Sequence, residues 1–202
     1  MGRGYRSRNR IMNADPDSCS PGALAQDDPE PDDSGVAIRV TLDSGDWIAF
    51  LPEAEALVSR AARAALARAG FTADHGAELG LALADDDTLQ RLNRTYRGID
   101  RPTNVLAFPA EDGPTTSGAR LLGDVVLAAG TLQREADEQG KTPTDHLAHL
   151  VVHGVLHLLG YDHQRETEAE AMEALEREIL AGLGIADPYR EPVAPNAAAA
   201  GG

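Results

Sequence analysis

One cysteine, Cys19, stands in a chain of 202 residues. That excludes an internal disulfide framework and fits a reducing compartment. It also leaves too few thiolates for a cysteine-based metal centre, so any metal site must be built from histidine and carboxylate. No apolar run approaches the ~20 residues that span a bilayer, so a membrane role is not expected. The arginines at the start (Arg3, Arg6, Arg8, Arg10) lead into no apolar stretch, so they do not read as a secretory signal. A cytoplasmic protein is the expectation. Excess positive charge is lacking too: the formal net charge is −15. This argues against indiscriminate binding to nucleic acid but leaves room for a local basic patch.

Apolar residues are sparse up to about residue 35, where Pro16, Pro21, Pro29 and Pro31 mix with a run of Asp and Glu. Residues 1–35 therefore read as a disordered acidic tail, with Met12 an alternative start, and residues 191–202 as a second disordered tail. Between them, 36–190 read as one domain. Val36–Leu42, Glu78–Leu83, Asn104–Phe108 and Leu121–Leu127 carry strand patterns. Helices are expected from Pro52 to Gly70, from a cap at Asp85, Asp86 or Asp87 through Asn93, and from Leu127 to about Gln139. Another is expected from a cap at Thr144 or Asp145 to Leu159, and a last one over about 167–181. Tyr96–Thr103 reads as a loop, and Gly140 and Pro143 as breakers. The strands near 104–127 are joined by loop rather than helix. The fold class is therefore α+β: a mixed four-stranded sheet packed with helices, one of them a zincin-like helix bearing histidines.

The chemistry concentrates in His153-Gly-Val-Leu-His-Leu-Leu-Gly-Tyr-Asp-His163. His153 and His157 are four apart and share one helical face. Gly160 can take positive φ, end the helix and turn the chain, bringing His163 back to the same ion. Three imidazoles with a fourth position open form a catalytic zinc pattern, so one zinc ion is expected on His153, His157 and His163. The apolar residues around them mark a buried helix, where imidazoles need partners. His149, one turn earlier, is assigned to supporting the ligands or to packing. His146 reads as a surface residue, and His75 has no role. The spacing equals that of the extended zinc-protease motif, but Gly154 stands where a peptidase carries the glutamate that handles protons.

Longer motifs surround this segment: Leu92-Asn-Arg-Thr-Tyr-Arg97, Arg101-Pro-Thr-Asn-Val-Leu-Ala-Phe-Pro109, Leu122-Gly-Asp124 and His149–His163. With them the chain resembles the YbeY family of bacterial endoribonucleases over roughly residues 36–190. The resemblance implies a metal-dependent, single-strand-specific endoribonuclease that matures the 3′ end of 16S rRNA and serves ribosome quality control. It implies that His153, His157 and His163 match the zinc ligands and that Arg97 matches the family's functionally important arginine. It further implies work on the small ribosomal subunit, with a small-subunit ribosomal protein and a ribosome-assembly GTPase as partners.

An arginine suits bidentate grip on a phosphate, and Arg91, Arg94 and Arg101 beside Arg97 make the densest basic stretch of the domain, an expected RNA-contacting patch. Asp162 is open to two readings, a turn former or a group that orients a ligand or acts as base. Asp124 reads as structural in its strand, with capping or bracing of the site as the alternative, and Thr103 and Asn104 could meet a phosphate or build a turn. The acidic last helix, including Glu173, Glu176 and Glu178, reads as a solvated face. The competing functions are a zincin-like metallopeptidase and a non-catalytic ribosome-assembly factor with a structural metal.

Overall fold

A computed structural model describes residues 35–43, 47–73, 76–110 and 118–190. The expected tails and His75 lie outside the described residues. The chain runs β1 (Val36–Leu42), α1 (Trp47–Phe50), α2 (Ala54–Arg68), β2 (Ala77–Ala84), α3 (Asp86–Arg97) and β3 (Val105–Pro109). It continues as β4 (Arg120–Ala128), α4 (Ala129–Gln139), α5 (Pro143–Leu158) and α6 (Glu166–Gly182). The four strands form one mixed sheet in the order β1-β2-β4-β3. β1 and β4 run parallel to β2, and β3 pairs antiparallel to β4 at the edge. This is the α+β arrangement the strand spacing predicts.

Each strand presents alternate residues to its two faces. Leu79, Leu81, Leu83, Val125 and Leu127 face the main core, which they share with α2, α5 and α6. Ala84, Leu106, Val126 and Ala128 face a smaller core closed by Leu89 of α3. α5 is the central helix and touches α2, α4, α6, β3 and β4. Nearly all of its apolar residues are buried, as the sequence implies. No helix among the described residues is long and apolar enough to cross a membrane.

Three element boundaries differ from expectation. The helix expected to stop at Asn93 runs another turn to Arg97; Asp85 caps its start by accepting from Thr88 N at 2.8 Å, and Gly98 closes it at φ 71°. Arg97 therefore rides on a helix rather than a loop. α5 opens at Pro143, and its cap is Thr142 rather than Thr144 or Asp145: the Thr142 hydroxyl accepts from Asp145 N at 3.0 Å. Proline suits this first-turn position because it has no N–H to leave unpaired. The short α1 was not foreseen; Trp47 anchors it by donating from Nε1 to Ala84 O at 2.9 Å.

Candidate metal centre

Four histidines follow the helical repeat along α5: His146, His149, His153 and His157. Their partners divide them. The Nδ1 of His157 donates to Tyr161 O at 3.0 Å, a carbonyl supplied by the turn that Gly160 makes at φ 90°. The Nδ1 of His153 donates to Oε1 of Glu176 at 2.8 Å. In a neutral imidazole one nitrogen carries the proton and the other is a bare acceptor. With both rings neutral, both Nε2 atoms are bare acceptors, and they face each other at 3.1 Å. Neither can donate to the other.

The same turn brings in His163, whose ring lies 5.0 Å from that of His157 and 5.5 Å from that of His153. One nitrogen from each of the three lies within 4.8 Å of the others. Tetrahedral coordination at ~2.0–2.1 Å per bond puts nitrogens about 3.3 Å apart. The pair on α5 already has about that spacing, and His163 joins it from an exposed turn. A divalent cation fits this donor set. Burial lowers the pKa of His157, and the adjacent His153 ring lowers it further, which keeps the imidazole in its ligating, neutral form.

The three rings form one wall of a cleft of about 550 Å³. Val105, Ala107 and Pro109 of β3, Thr103, Asn104 and the turn from Gly160 to Gln164 complete it, with Arg97 at its margin. Arg97 is held there by its neighbours. Tyr96 meets Phe108 of β3 edge-on, with ring centroids 5.0 Å apart, and Asn93 donates to Arg101 O at 2.8 Å. Among the described residues, Arg97 has no acidic partner.

The other arginines lie outside the cleft lining. Arg91 donates to Thr88 Oγ1 at 2.9 Å within its own helix, and Arg94 stands 3.9 Å from Asp100. Arg101 is exposed on the turn after α3. Asp162 lines the cleft, and its Oδ1 accepts from His163 N at 2.7 Å, the turn-forming bond. Asn104 is committed to structure: its Oδ1 accepts from Val105 N at 2.7 Å and its amide donates to Glu135 at 2.8 Å. Asp124 does not brace the site. Its neighbour Val125 faces α5, so Asp124 lies on the opposite side of the sheet, over Gly80.

Two expectations about polar residues need correction. His146 is buried, 3% exposed, and donates from Nε2 to Glu135 at 2.9 Å. Burial lowers its pKa despite the raising pull of Glu135. Glu176 is fully buried rather than part of a solvated face. It accepts from His153, from His149 Nε2 at 3.3 Å and from the Tyr189 hydroxyl. Burial alone would raise its pKa; hydrogen bonds from His149, His153 and Tyr189 outweigh that and hold it at about 2. The signal was in the sequence: Met172, Glu176, Ile179 and Leu180 form the buried stripe of α6, so one carboxylate falls on an apolar face.

Gly154 sits between His153 and His157 on α5. A Cβ there would come within 2.6 Å of Val125 Cγ1. The position that holds a glutamate in the protease motif is here a helix-to-sheet contact with no room for a side chain.

Residues 48–184 match the family described as Endoribonuclease YbeY. An Endoribonuclease YbeY of Azorhizobium caulinodans is 52% identical over 157 residues, covering 78% of this chain and 98% of that protein. The one from Rhodospirillum rubrum is 48% identical over 193 residues, 91% of this chain and 96% of its own. The one from Alkalilimnicola ehrlichii is 57% identical over 145 residues, 71% of this chain and 86% of its own.

Proposed function

The chain belongs to the YbeY family of endoribonucleases, and from that premise we propose that it cleaves phosphodiester bonds of ribosomal RNA at the histidine cleft. His153, His157 and His163 hold one zinc ion through their bare nitrogens. Arg97 grips the phosphate next to the bond that breaks. The single observation that carries this reading is the pair of Nε2 acceptors 3.1 Å apart, each with its Nδ1 proton engaged elsewhere. Two lone pairs so placed repel unless a cation lies between them and the third imidazole.

When bound, the ion supplies Lewis-acid stabilisation of charge on the phosphoryl oxygens and lowers the pKa of water. The chain's own residues do the rest. The guanidinium of Arg97 can take two phosphate oxygens at once and neutralise charge as the phosphorus becomes five-coordinate. The apolar wall of Val105 and Ala107 limits water at one side of the cleft. An unpaired strand suits such a site, because its phosphates and bases can be splayed apart while a duplex keeps its geometry.

The substrate we infer is the 3′ end of 16S rRNA within the small ribosomal subunit, in maturation and quality control in the cytoplasm. A small-subunit ribosomal protein and a ribosome-assembly GTPase would deliver the RNA, which accommodates the formal charge of −15. Arg91, Arg94 and Arg101, outside the cleft lining, would guide the strand toward it through long-range attraction. Peptide hydrolysis is disfavoured by the contact of Gly154 with Val125, which leaves no place for the proton-handling glutamate.

The test is zinc content and cleavage of single-stranded rRNA by purified wild type and His157→Ala. A folded variant without zinc and without cleavage supports the reading. Full cleavage by a zinc-free variant overturns it.

A further inference from the structure

We propose that Glu176 is a positioning residue of this centre: it fixes His153 as the Nδ1–H tautomer so that Nε2 faces the ion, and Tyr189 and His149 hold the carboxylate in place. The inference rests on the metal reading of the three histidines and extends it to residues that touch no ion.

The two oxygens of Glu176 are divided between tasks. Among the described residues, Oε1 meets only His153, at 2.8 Å. Oε2 receives both His149 Nε2, at 3.3 Å, and the Tyr189 hydroxyl. One oxygen is anchored from two sides while the other is left to orient a ligand. A carboxylate with no solvent contact needs such donors to remain charged. A charged acceptor on Nδ1–H settles the tautomer and raises the basicity of the far nitrogen, as outer partners of metal-bound histidines do.

The anchoring side has its own cost. With Nε2 donating to Glu176, the Nδ1 of His149 is a buried acceptor without a partner among the described residues. Tyr189 reaches in from the segment after α6. Its ring lies edge-on to His149 at 5.5 Å and beneath the Arg177 guanidinium at 5.7 Å. Its backbone N–H donates to Asp187 Oδ1 at 3.0 Å, and Arg177 stands 3.9 Å from that same oxygen. The end of the described chain is thus pinned onto the support of a ligand more than thirty residues earlier.

The test uses the full chain and two readouts. Zinc affinity is measured by competition with a chromophoric chelator near pH 8. The His153 tautomer is read from its side-chain ¹⁵N shifts in metal-free protein. Glu176→Ala should weaken zinc binding about 10–100-fold and move His153 toward the Nε2–H form. Glu176→Gln, which keeps an acceptor but no charge, should fall between it and wild type. Tyr189→Phe should weaken binding by less than Glu176→Ala. Circular dichroism and melting show which variants fold; if Glu176→Ala does not, the other two decide. Folded variants with wild-type zinc affinity and wild-type ¹⁵N shifts overturn the proposal. A wild type that binds no zinc yet holds His153 as Nδ1–H overturns the metal reading, while loss of that tautomer in the Glu176 variants still upholds the positioning role.

Discussion

The missing side chain of Gly154 is occupied by Val125: a Cβ on the helix residue would stand 2.6 Å from Cγ1 of the strand residue. Val125 is fully buried in β4 and, being β-branched, has little freedom to turn aside. Gly154→Ala gains about 1 kcal/mol of helix propensity but overpacks the joint at about 1–3 kcal/mol. The net expectation is destabilisation, measured by urea unfolding. Adding Val125→Ala should improve the fit at residue 154, so the double mutant should be less destabilised than the sum of the two single changes. Gly154→Glu should misfold or lose zinc rather than gain peptidase activity.

Arg97 and Arg94 are three residues apart on α3, yet only Arg97 lines the cleft. Arg97→Ala should lower kcat/KM for RNA cleavage by about 10²-fold or more, as loss of one charge-stabilising donor does, with zinc affinity unchanged. Arg94→Ala should change cleavage little at physiological salt and mainly flatten its salt dependence. Equal losses from the two variants would contradict the separate roles.

Ligand linkage gives a prediction on stability. Zinc at about 100 times its Kd adds about 2.7 kcal/mol to the folded state, or roughly 5–10 °C in Tm for a domain of this size. His163 is exposed and lies on the turn, so His163→Ala should melt like wild type without zinc. It should lose most of the zinc-induced shift. A full shift in that variant would remove His163 from the ligand set.

Acid sensitivity follows from His146. Burial holds its folded pKa below the ordinary value of 6.5. Between the two values the unfolded chain binds more protons, so stability falls as pH drops through about 6.5, by at most ~1.4 kcal/mol per pH unit from this one group. Urea unfolding of metal-free protein at pH 7.5 and 5.5 should show a smaller loss for His146→Gln than for wild type. An identical loss would mean that other groups carry the effect.

What was legible in the sequence was whatever repeats locally. Alternation marked β1 and β2, short apolar runs marked β3 and β4, and Gly160 and the i, i+4 pair marked the turn and two of the clustered imidazoles. The boundary of α3 was misjudged because charged residues between Asn93 and Gly98 masked a helical turn whose cap lay in plain view at Gly98. Glu176 and His146 were misread for one shared reason. Each is polar by type and buried by context, and their partners, His153 and Glu135, lie far away in sequence or on another helix. The stripe of α6 marks Glu176 as buried, but pairing across the core leaves no trace in a local pattern. The side of the sheet on which Asp124 falls likewise depends on the register of β4 against its neighbours.

The three imidazoles sit on supports that open under different conditions. His153 and His157 belong to α5, which is enclosed by two strands and three helices, so exposing its amides requires unfolding most of the domain. His163 belongs to a short exposed stretch whose geometry rests on Gly160 and on the bond from its own N–H to Asp162. Hydrogen exchange should therefore be slow along α5 and fast around residues 160–165. An ion leaving such a centre would part from the turn first. Its residence time would follow that local opening, while its equilibrium hold would follow the rigid pair on the helix.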